Sequence, residues 1–348
     1  MKAICFKETE KVSVDQIDDP AILDSRDAIV KTSMAGLCGS DLHVYFGREQ
    51  GIDVGTVMGH EFVGHVVATG DRCDQIQIGD RVYSPFTTNC GDCYFCQNEL
   101  PARCVKGSLF GWRENGVGLH GGQSELVRVP LADATLKKIP ESVSDESALL
   151  LGDNFSTGFY CAEMANIRPD GTYVVIGCGT VGLLCIMSAI HMGAKNLFAL
   201  DPVPARQKQA ETLGAKAYFP DSRAIQAIKN ETQGRGADAV MELVGLPDAQ
   251  KIAFELLRPG GIMSVVGCHC TPNFSFSPID AFDKNLTYRT GRCPARHYMD
   301  RLTPMVEDGT FQIDSFISQQ FSADEGKHAY DIFANRKNGC LKAAIRFD

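Results

Sequence analysis

The hydrophobic pattern in the first part of the chain is short and frequently interrupted. Up to about residue 140, β-rich runs such as DAIVKTSMAG (27–36) and EFVGHVVATG (61–70) are separated by Gly, Pro and Asp. Short apolar runs broken by turn residues are typical of antiparallel sheets. The sequence therefore predicts a twisted antiparallel β domain in this region.

The pattern changes from residue 171 onward, where strand-like runs alternate with helical stretches. Helices are predicted at 180–192 and at about 248–257, and a closing strand at about 286–290. This alternation is the sequence form of a doubly wound parallel sheet. The other predicted strands are TYVVIG (172–177), NLFALD (196–201), AKAYF (215–219), ADAVMELVG (237–245) and GIMSVVGC (261–268).

This change of pattern places the domain boundaries. A chain of 348 residues exceeds what one hydrophobic core usually supports. We expect an α/β protein with a β-rich domain at 1–153 and a doubly wound domain of the Rossmann type at 154–291. Residues 292–348 are expected to return to the first domain.

Composition and charge exclude several classes of protein. Hydrophobic residues make up 44% and charged residues 22%, which is ordinary for a globular enzyme. The net charge of -9 argues against nucleic acid or anionic membrane as a partner. The first residues lack a signal-peptide core, and the longest apolar stretch, 181–191, is too short to span a bilayer. We therefore expect a cytoplasmic protein.

Four cysteines form the sharpest chemical motif. Cys90, Cys93, Cys96 and Cys104 follow a C-x2-C-x2-C-x7-C pattern within a lobe at about 89–105. Four thiolates from so short a stretch can surround one tetrahedral Zn²⁺. A disulfide is the weaker alternative, because cysteines this close in a short loop rarely reach disulfide geometry. The lobe is predicted to be a structural zinc site.

A glycine motif follows the first strand of the parallel sheet. Gly177, Gly179 and Gly182 form G-x-G-x-x-G, with Thr180 and Val181 opening the next helix. The three glycines permit a tight turn, close approach of a pyrophosphate, and packing of helix on strand. Backbone N–H groups at the helix start then bind the anion.

Asp201 ends the next strand, where a carboxylate can accept hydrogen bonds from an adenosine ribose. A 2′-phosphate would meet negative charge there, so NAD is favoured over NADP. A turn role at the strand end, helped by Pro202, is the alternative. Arg206, five residues further on, keeps use of NADP open.

A second, looser set of metal ligands lies outside the cysteine lobe. Cys38 and His60 stand in glycine-rich turns, and Asp153 stands near a helix entry. A lone histidine is usually a core or surface residue. Together, however, these three would supply sulfur, nitrogen and oxygen to an open catalytic Zn²⁺ site.

These motifs together resemble the zinc-dependent alcohol dehydrogenases of the medium-chain dehydrogenase/reductase superfamily. The resemblance implies a GroES-like catalytic domain joined to a Rossmann domain, with the active site in the cleft. It covers nearly the whole chain, through CGSDLH (38–43), GHEFVG (59–64), the cysteine lobe, GDNFSTGF (152–159), GCGTVG (177–182) and NGCLKAAI (338–345).

The resemblance assigns roles around the catalytic zinc. Cys38, His60 and Asp153 correspond to the zinc ligands, and Glu61 to a neighbouring carboxylate that ligates transiently or tunes the field. Asp41 corresponds to a carboxylate that orients the ligand histidine; a turn-capping role is compatible with this.

The resemblance also implies a proton path and further cofactor contacts. Ser40 corresponds to the hydroxyl that takes the alcohol proton, and His43 to the histidine that passes it to solvent. Thr157 corresponds to a residue behind the nicotinamide ring, and Lys342 to a basic residue that reaches the pyrophosphate. His269 is a candidate neighbour of the nicotinamide ring; the alternative is that it is a loop residue with no contact to the cofactor.

Two further positions bear on the class of substrate. Phe86 corresponds to a residue in the wall of the substrate pocket. The alternative is that its side chain is part of the hydrophobic core. Gly39 stands where liver-type members carry a phosphate-binding Arg, which favours the polyol, threonine and secondary-alcohol branches.

The leading hypothesis is an NAD-dependent enzyme with two Zn²⁺ per subunit that reversibly oxidises a primary or secondary alcohol, or a polyol, to an aldehyde or ketone. The first alternative is a reductase of a conjugated carbonyl whose zinc is structural or absent. The second is a non-catalytic zinc- and nucleotide-binding protein. The resemblance also implies a homo-oligomer, with a tetramer favoured over a dimer.

Overall fold

The chain folds into two compact units. The structure is a computed structural model that describes residues 1–347. One unit comprises Met1–Ser156 and the C-terminal segment from Pro294, and the other comprises Thr157–Cys293. The unit boundaries thus fall at 156/157 and 293/294, where the sequence places them at 153/154 and 291/292.

Strands account for much of both units. They are, in chain order, β1 (Lys2–Glu8), β2 (Lys11–Gln16), β3 (Ala28–Gly36), β4 (Phe62–Thr69), β5 (Arg81–Tyr83), β6 (Trp112–Glu114), β7 (Val117–Leu119), β8 (Leu126–Val129), β9 (Lys137–Lys138), β10 (Thr172–Ile176), β11 (Asn196–Leu200), β12 (Lys216–Tyr218), β13 (Ala237–Glu242), β14 (Leu257–Val265), β15 (Thr287–Thr290), β16 (Gln319–Ser322) and β17 (Ala343–Arg346).

Among residues 1–347, no helix is long and apolar enough to cross a membrane. The α-helices are α1 (Asp41–Tyr45), α2 (Tyr94–Gln97), α3 (Ala132–Thr135), α4 (Asp145–Gly152), α5 (Asn154–Met164), α6 (Thr180–His191), α7 (Pro204–Thr212), α8 (Ser222–Glu231), α9 (Pro247–Leu256), α10 (Pro278–Asp283), α11 (Ala295–Glu307) and α12 (Gly326–Ala334). Short 3₁₀ helices occur at Pro101–Arg103, Asp314–Phe316, Ala323–Glu325 and Lys337–Gly339.

The main sheet of the first unit is largely antiparallel, with strand order β16-β17-β3-β4-β5-β9 and β8 also paired to β3. β3 pairs with β4 from Ala28↔Thr69 to Ala35↔Phe62. On its other side, β17 pairs antiparallel with the end of β3, placing Ala344 opposite Gly36. The C-terminal segment thus lies beside the end of β3.

The sheet of the second unit is parallel, with strand order β12-β11-β10-β13-β14-β15. All five residues of β10 are buried, as expected for a parallel strand covered on both faces. The strand order reverses between β10 and β13. In open α/β sheets ligands bind outside the carboxyl ends of the strands at such a switch point.

Candidate zinc sites and cofactor crevice

The four lobe cysteines converge on one point. The Sγ atoms of Cys93 and Cys96 are 3.6 Å apart, those of Cys93 and Cys104 are 3.9 Å apart, and those of Cys90 and Cys96 are 4.0 Å apart. A tetrahedral site with Zn–S bonds of about 2.3 Å places its sulfurs about 3.8 Å apart. A disulfide requires about 2.05 Å, and all four cysteines are reduced. The arrangement therefore fits a structural zinc ion.

Backbone N–H groups of the lobe stabilise negative charge on sulfur. The N–H groups of Cys90 and Lys106 point to Sγ of Cys104, at 3.2 and 3.4 Å. N–H groups of Cys96 and Val105 lower the pKa of Cys93 to about 6. The lobe backbone thus favours the thiolate form of Cys93, the form that zinc ligation requires.

The second ligand set is also brought together in the first unit. Ligand atoms of Cys38, His60, Glu61 and Asp153 lie within 4.8 Å of one another, and all four residues are buried. Oδ2 of Asp153 is 3.4 Å from Sγ of Cys38 and 3.5 Å from Nε2 of His60. One soft thiolate, one imidazole and one carboxylate form a donor set suited to an open zinc site.

The main sheet explains this convergence. Cys38 follows β3 and His60 precedes β4, and the two strands are antiparallel neighbours, so both residues stand at the same sheet edge. Asp153 is the C-cap of α4. The helix begins at Ser144, whose side chain accepts a hydrogen bond from the N–H of Ser147. Its carboxyl end, where the helix dipole favours cations, therefore faces the ligand cluster.

Asp41 determines how His60 presents its ring. Oδ1 of Asp41 is 3.1 Å from Nδ1 of His60, and Oδ2 accepts the N–H of Cys38 at 2.9 Å. This buried carboxylate therefore contacts one ligand through its ring and another through its backbone. With Nδ1 engaged, Nε2 is the nitrogen that faces the other ligand atoms.

Charge and burial oppose each other within the cluster. Burial disfavours charge on His60, yet the carboxylates of Asp41 and Asp153 raise its pKa well above the ordinary value. Burial also acts to raise the pKa of Asp153, but hydrogen bonding and charge from His60 hold it below its usual range. Burial raises the pKa of the Cys38 thiol. A cation bound here would replace these protons, because thiol and imidazole ligate in their deprotonated forms.

Glu61 lies in a fully enclosed ion pair with Lys342. The ammonium of Lys342 contacts Oε2 of Glu61, and their side chains are 1% and 0% exposed. Burial raises the pKa of Glu61, while the charge of Lys342 opposes that rise. Lys342 is thus the counter-ion of a carboxylate beside the candidate ligands, and its expected contact with a cofactor pyrophosphate stays a prediction.

Asn154 joins the two carboxylates of this site, a role that was not predicted. Its Nδ2 donates to Oε1 of Glu61 at 2.6 Å and lies 3.3 Å from Oδ2 of Asp153. The only available signal was its position directly after a predicted ligand. Gly36 completes the packing, because a Cβ at that position would stand 1.9 Å from Oε2 of Glu61.

The residues expected to form the proton path lie at the start of α1. Oγ of Ser40 is 3.2 Å from Nε2 of His60, so its hydroxyl is next to the ring nitrogen that faces the ligands. His43 is buried within α1. The ring of Phe86 stands edge-on to His60, with ring centroids 6.3 Å apart, which is compatible with a wall beside the metal site.

In the second unit, the glycine turn has the tight contacts expected of it. Gly177 has φ of +91°, and a Cβ there would lie 2.6 Å from Cγ2 of Val244. A Cβ on Gly182 would stand 1.8 Å from the carbonyl oxygen of Gly177. Gly179 instead faces open space, with Nη1 of Arg206 as its nearest neighbour at 3.9 Å. Thr180 and Val181 then open α6.

Asp201 links the end of β11 to this turn. Its carboxylate accepts the N–H of Cys178 and the N–H of Val203, both at 2.8 Å, and the residue is 2% exposed. Nη1 of Arg206 is 4.0 Å from Oδ2. Asp201 therefore has a definite structural role. A hydrogen bond to a ribose would be an additional one. Thr157 stands in α5 of the same unit.

A buried carboxylate at the end of β13 was not predicted as part of the crevice. Oε1 of Glu242 accepts the N–H groups of Val244 and Gly245, at 2.7 and 2.8 Å. Its Oε2 is 2.9 Å from Nε2 of His269. Glu242 thus fixes one wall of the switch point and anchors the loop that follows β14.

Comparison with known proteins identifies the family. Residues 24–141 match the alcohol dehydrogenase GroES-like domain, and residues 180–308 match the zinc-binding dehydrogenase domain. The chain is 39% identical over 342 residues to zinc-type alcohol dehydrogenase B of Aspergillus flavus, a match that covers 96% of this chain and 78% of that protein.

Solved structures agree with this result. Alcohol dehydrogenase TADH from Thermus sp. ATN1 superposes with a TM-score of 0.91 at 34% identity, covering 99% of each chain. A putative zinc-binding dehydrogenase from Sinorhizobium meliloti, bound to NADP, superposes with a TM-score of 0.82 at 25% identity, covering 99% of each chain. The chain belongs to the zinc-dependent alcohol dehydrogenase family of the medium-chain dehydrogenase/reductase superfamily, with its GroES-like and Rossmann folds.

Proposed function

We propose that this enzyme is an NAD-dependent zinc alcohol dehydrogenase that reversibly oxidises a primary or secondary alcohol, or a polyol, to an aldehyde or ketone. The observation that carries the proposal is the cluster of Cys38, His60 and Asp153, with the ring of His60 held by Asp41. A purely structural zinc protein needs only the closed cysteine lobe. An open, mixed-donor site indicates catalysis.

The first-unit residues have distinct tasks in this reaction. When bound by the three ligands, zinc supplies a Lewis acid that makes an alcohol hydroxyl easier to deprotonate. Ser40 takes that proton, since its hydroxyl lies beside Nε2 of His60, and His43 passes it on. Asn154 and Lys342 hold Glu61 in place beside the ligands.

The second-unit residues hold the cofactor. NAD⁺, when bound, accepts the hydride. The N–H groups at Gly179, Thr180 and Val181 would receive its pyrophosphate, and Thr157 would stand behind the nicotinamide. Asp201 receives the ribose hydroxyls and disfavours a 2′-phosphate. The positive charge of Arg206 beside it offsets part of the repulsion of a 2′-phosphate. The preference is therefore measured as the ratio of kcat/KM with NAD⁺ to kcat/KM with NADP⁺.

The test is a substrate panel under two cofactors. Wild type and Cys38→Ser are assayed with primary alcohols, secondary alcohols, polyols and hydroxyamino acids, each with NAD⁺ and with NADP⁺. The proposal expects reduction of NAD⁺ by at least one alcohol class, a higher kcat/KM with NAD⁺ than with NADP⁺, and no turnover by Cys38→Ser. Turnover by Cys38→Ser equal to wild type would refute the role of the cluster.

Two further properties belong to the proposal. We place the enzyme in the cytoplasm, because reduced cysteines and a thiolate zinc site suit a reducing compartment. We also propose a homo-oligomer, with a tetramer favoured. Its support is β15, which ends the parallel sheet, and the neighbouring α10, where Ile279 and Phe282 are 79% and 86% exposed.

A further inference from the structure

Glu242, the last residue of β13, carries a buried carboxylate to which the proposed reaction gives no task. Its side chain is 0% exposed, and Oε1 accepts the N–H groups of Val244 and Gly245. Oε2 lies 2.9 Å from Nε2 of His269, whose side chain is 18% exposed. Because a carboxylate oxygen only accepts, Nε2 of His269 donates this hydrogen bond. The two oxygens of Glu242 therefore hold two different loops.

The backbone of Glu242 also holds the loop that follows β14, residues 266–270. Its carbonyl oxygen accepts the N–H groups of Val266 and Gly267, both at 3.1 Å. A Cβ on Gly267 would stand 2.3 Å from the backbone nitrogen of Gly245. The loops that follow β13 and β14 are thus pressed together at this point, and His269 extends the attachment two residues further along the chain.

The loop that follows β13 is attached in turn to the glycine turn. The N–H of Leu243 donates to the carbonyl oxygen of Ile176 at 3.0 Å. A Cβ on Gly177 would lie 2.6 Å from Cγ2 of Val244. Glu242 therefore stands between the turn that is expected to bind a pyrophosphate and the loop that carries His269.

The order of the strands indicates which half of a dinucleotide this loop borders. Asp201 follows β11 and the glycine turn follows β10, whereas Glu242 and residues 266–270 lie at the ends of β13 and β14, on the other side of the switch point. A dinucleotide binds across the carboxyl ends of the strands at such a point. With its adenosine at Asp201 and its pyrophosphate at the glycine turn, its nicotinamide half extends toward β13 and β14.

We propose that His269 is a positioning residue for the nicotinamide half of the cofactor, and that it acts through its hydrogen bond to Glu242, which holds residues 266–270 as one wall of the crevice. The proposal rests on the proposed function, because it requires a nicotinamide dinucleotide bound to the second unit. It assigns His269 to cofactor affinity and gives it no part in the metal site.

The test compares two ligands that differ in the nicotinamide ring. NADH and ADP-ribose are titrated calorimetrically into zinc-loaded wild type and into His269→Ala. We expect His269→Ala to bind NADH about tenfold more weakly, because the loop loses a hydrogen bond to a charged group. Its affinity for ADP-ribose should equal that of wild type. Equal weakening for both ligands, or an unchanged affinity for NADH, would overturn the proposal.

Two further variants separate the hydrogen bond from a general effect of substitution. His269→Gln keeps an amide that can donate from nearly the position of Nε2, so it should retain most of the wild-type affinity for NADH. His191→Ala is a matched control, since His191 is an exposed histidine at the end of α6 in the same unit and should bind both ligands as wild type does. An affinity of His269→Gln for NADH as low as that of His269→Ala contradicts a role for this hydrogen bond.

A second measurement uses wild type alone. Amide hydrogen exchange of a peptide that covers residues 266–270 is followed without ligand, with saturating NADH and with saturating ADP-ribose. We expect NADH to slow exchange in this peptide and ADP-ribose to leave it close to that of the free protein. Equal slowing by both ligands would overturn the proposal. Wild type that binds neither ligand would refute the proposed function itself, and with it the role of His269.

Discussion

Two side chains outside the predicted ligand set support the proposed catalytic metal site in different ways. Asp41 orients a ligand by contacting Nδ1 of His60. Lys342 neutralises Glu61, a buried carboxylate beside the ligands. The first contact acts on geometry and the second on charge, so the two substitutions should give different signatures.

Asp41→Asn is expected to weaken zinc binding at the catalytic site by about 10- to 100-fold, because the ring of His60 loses its charged partner. A chelator competition that resolves the two zinc ions would measure this, with the lobe zinc unchanged. Asp27→Asn is a matched control, since Asp27 is a buried carboxylate of the same unit that pairs with Arg128. Equal zinc affinity in Asp41→Asn and wild type would contradict the assigned role.

Lys342→Met is expected to cost about 3–5 kcal/mol of unfolding free energy, because it leaves the carboxylate of Glu61 buried without a counter-charge. Urea unfolding would measure the loss. The double variant Lys342→Met/Glu61→Gln should recover most of it, since no buried charge then remains. The dissociation constant of NAD⁺ is measured in parallel, because it reports separately on the predicted pyrophosphate contact. A large rise in that constant would support the predicted pyrophosphate contact, and an unchanged stability would contradict the role of Lys342 as counter-ion of Glu61.

Among the secondary-structure elements, the ends of neighbouring strands bring together the residues of the candidate metal site and those of the cofactor turn. The β3 and β4 ends carry Cys38 and His60 to one sheet edge. The β10 and β13 ends carry the glycine turn and Glu242 to the switch point. The glycines of that turn differ in function, because Gly182 has no space for a side chain and Gly179 has open space in front of it.

Gly179→Ala and Gly182→Ala are therefore expected to separate cofactor binding from stability. Gly179 has φ of −70°, and a Cβ there would come no closer than 3.9 Å to its nearest neighbour, so the alanine variant should fold normally while NAD⁺ binding weakens by about tenfold or more. Gly182→Ala should lose about 1–3 kcal/mol of stability, because its Cβ would meet the carbonyl oxygen of Gly177. Cofactor titration and thermal unfolding of both variants measure the two effects. Equal losses in both assays for both variants would contradict the distinction.

The sequence predicted those features that depend on neighbours close in the chain. Buried parallel strands such as β10 produce unbroken apolar runs, and the cysteine lobe gathers its ligands within a single loop. The pair of Glu61 and Lys342 spans 281 residues and forms only because β17 pairs with β3. Glu242 was missed for a similar reason, since a carboxylate at a strand end gives no sign that backbone N–H groups of the following turn will donate to it.

For the molecule as a whole, the main feature of the second unit is an open sheet edge with exposed apolar side chains beside it. Strand β15 ends the parallel sheet, and α10 beside it exposes Ile279 and Phe282. Large exposed apolar side chains next to an open sheet edge are typical of association surfaces. This supports a homo-oligomer assembled through the second unit.

Phe282→Glu is expected to reduce the mass in solution to a smaller species, because a charge would be placed within the proposed interface. Light scattering coupled to size-exclusion chromatography measures this. Val117→Glu is a matched control, since Val117 is 75% exposed in the first unit and should leave the mass unchanged. An unchanged mass for Phe282→Glu would contradict an interface at this edge.

We propose that the open cluster of Cys38, His60 and Asp153 binds a catalytic zinc distinct from the lobe zinc. The most direct measurement is the zinc content of purified wild type and Cys38→Ser, determined alongside alcohol-dependent formation of NADH. We expect about two zinc ions per subunit in wild type, about one in Cys38→Ser, and loss of turnover with NAD⁺ binding retained. Full turnover by Cys38→Ser, or an active wild type with only one zinc per subunit, would contradict it.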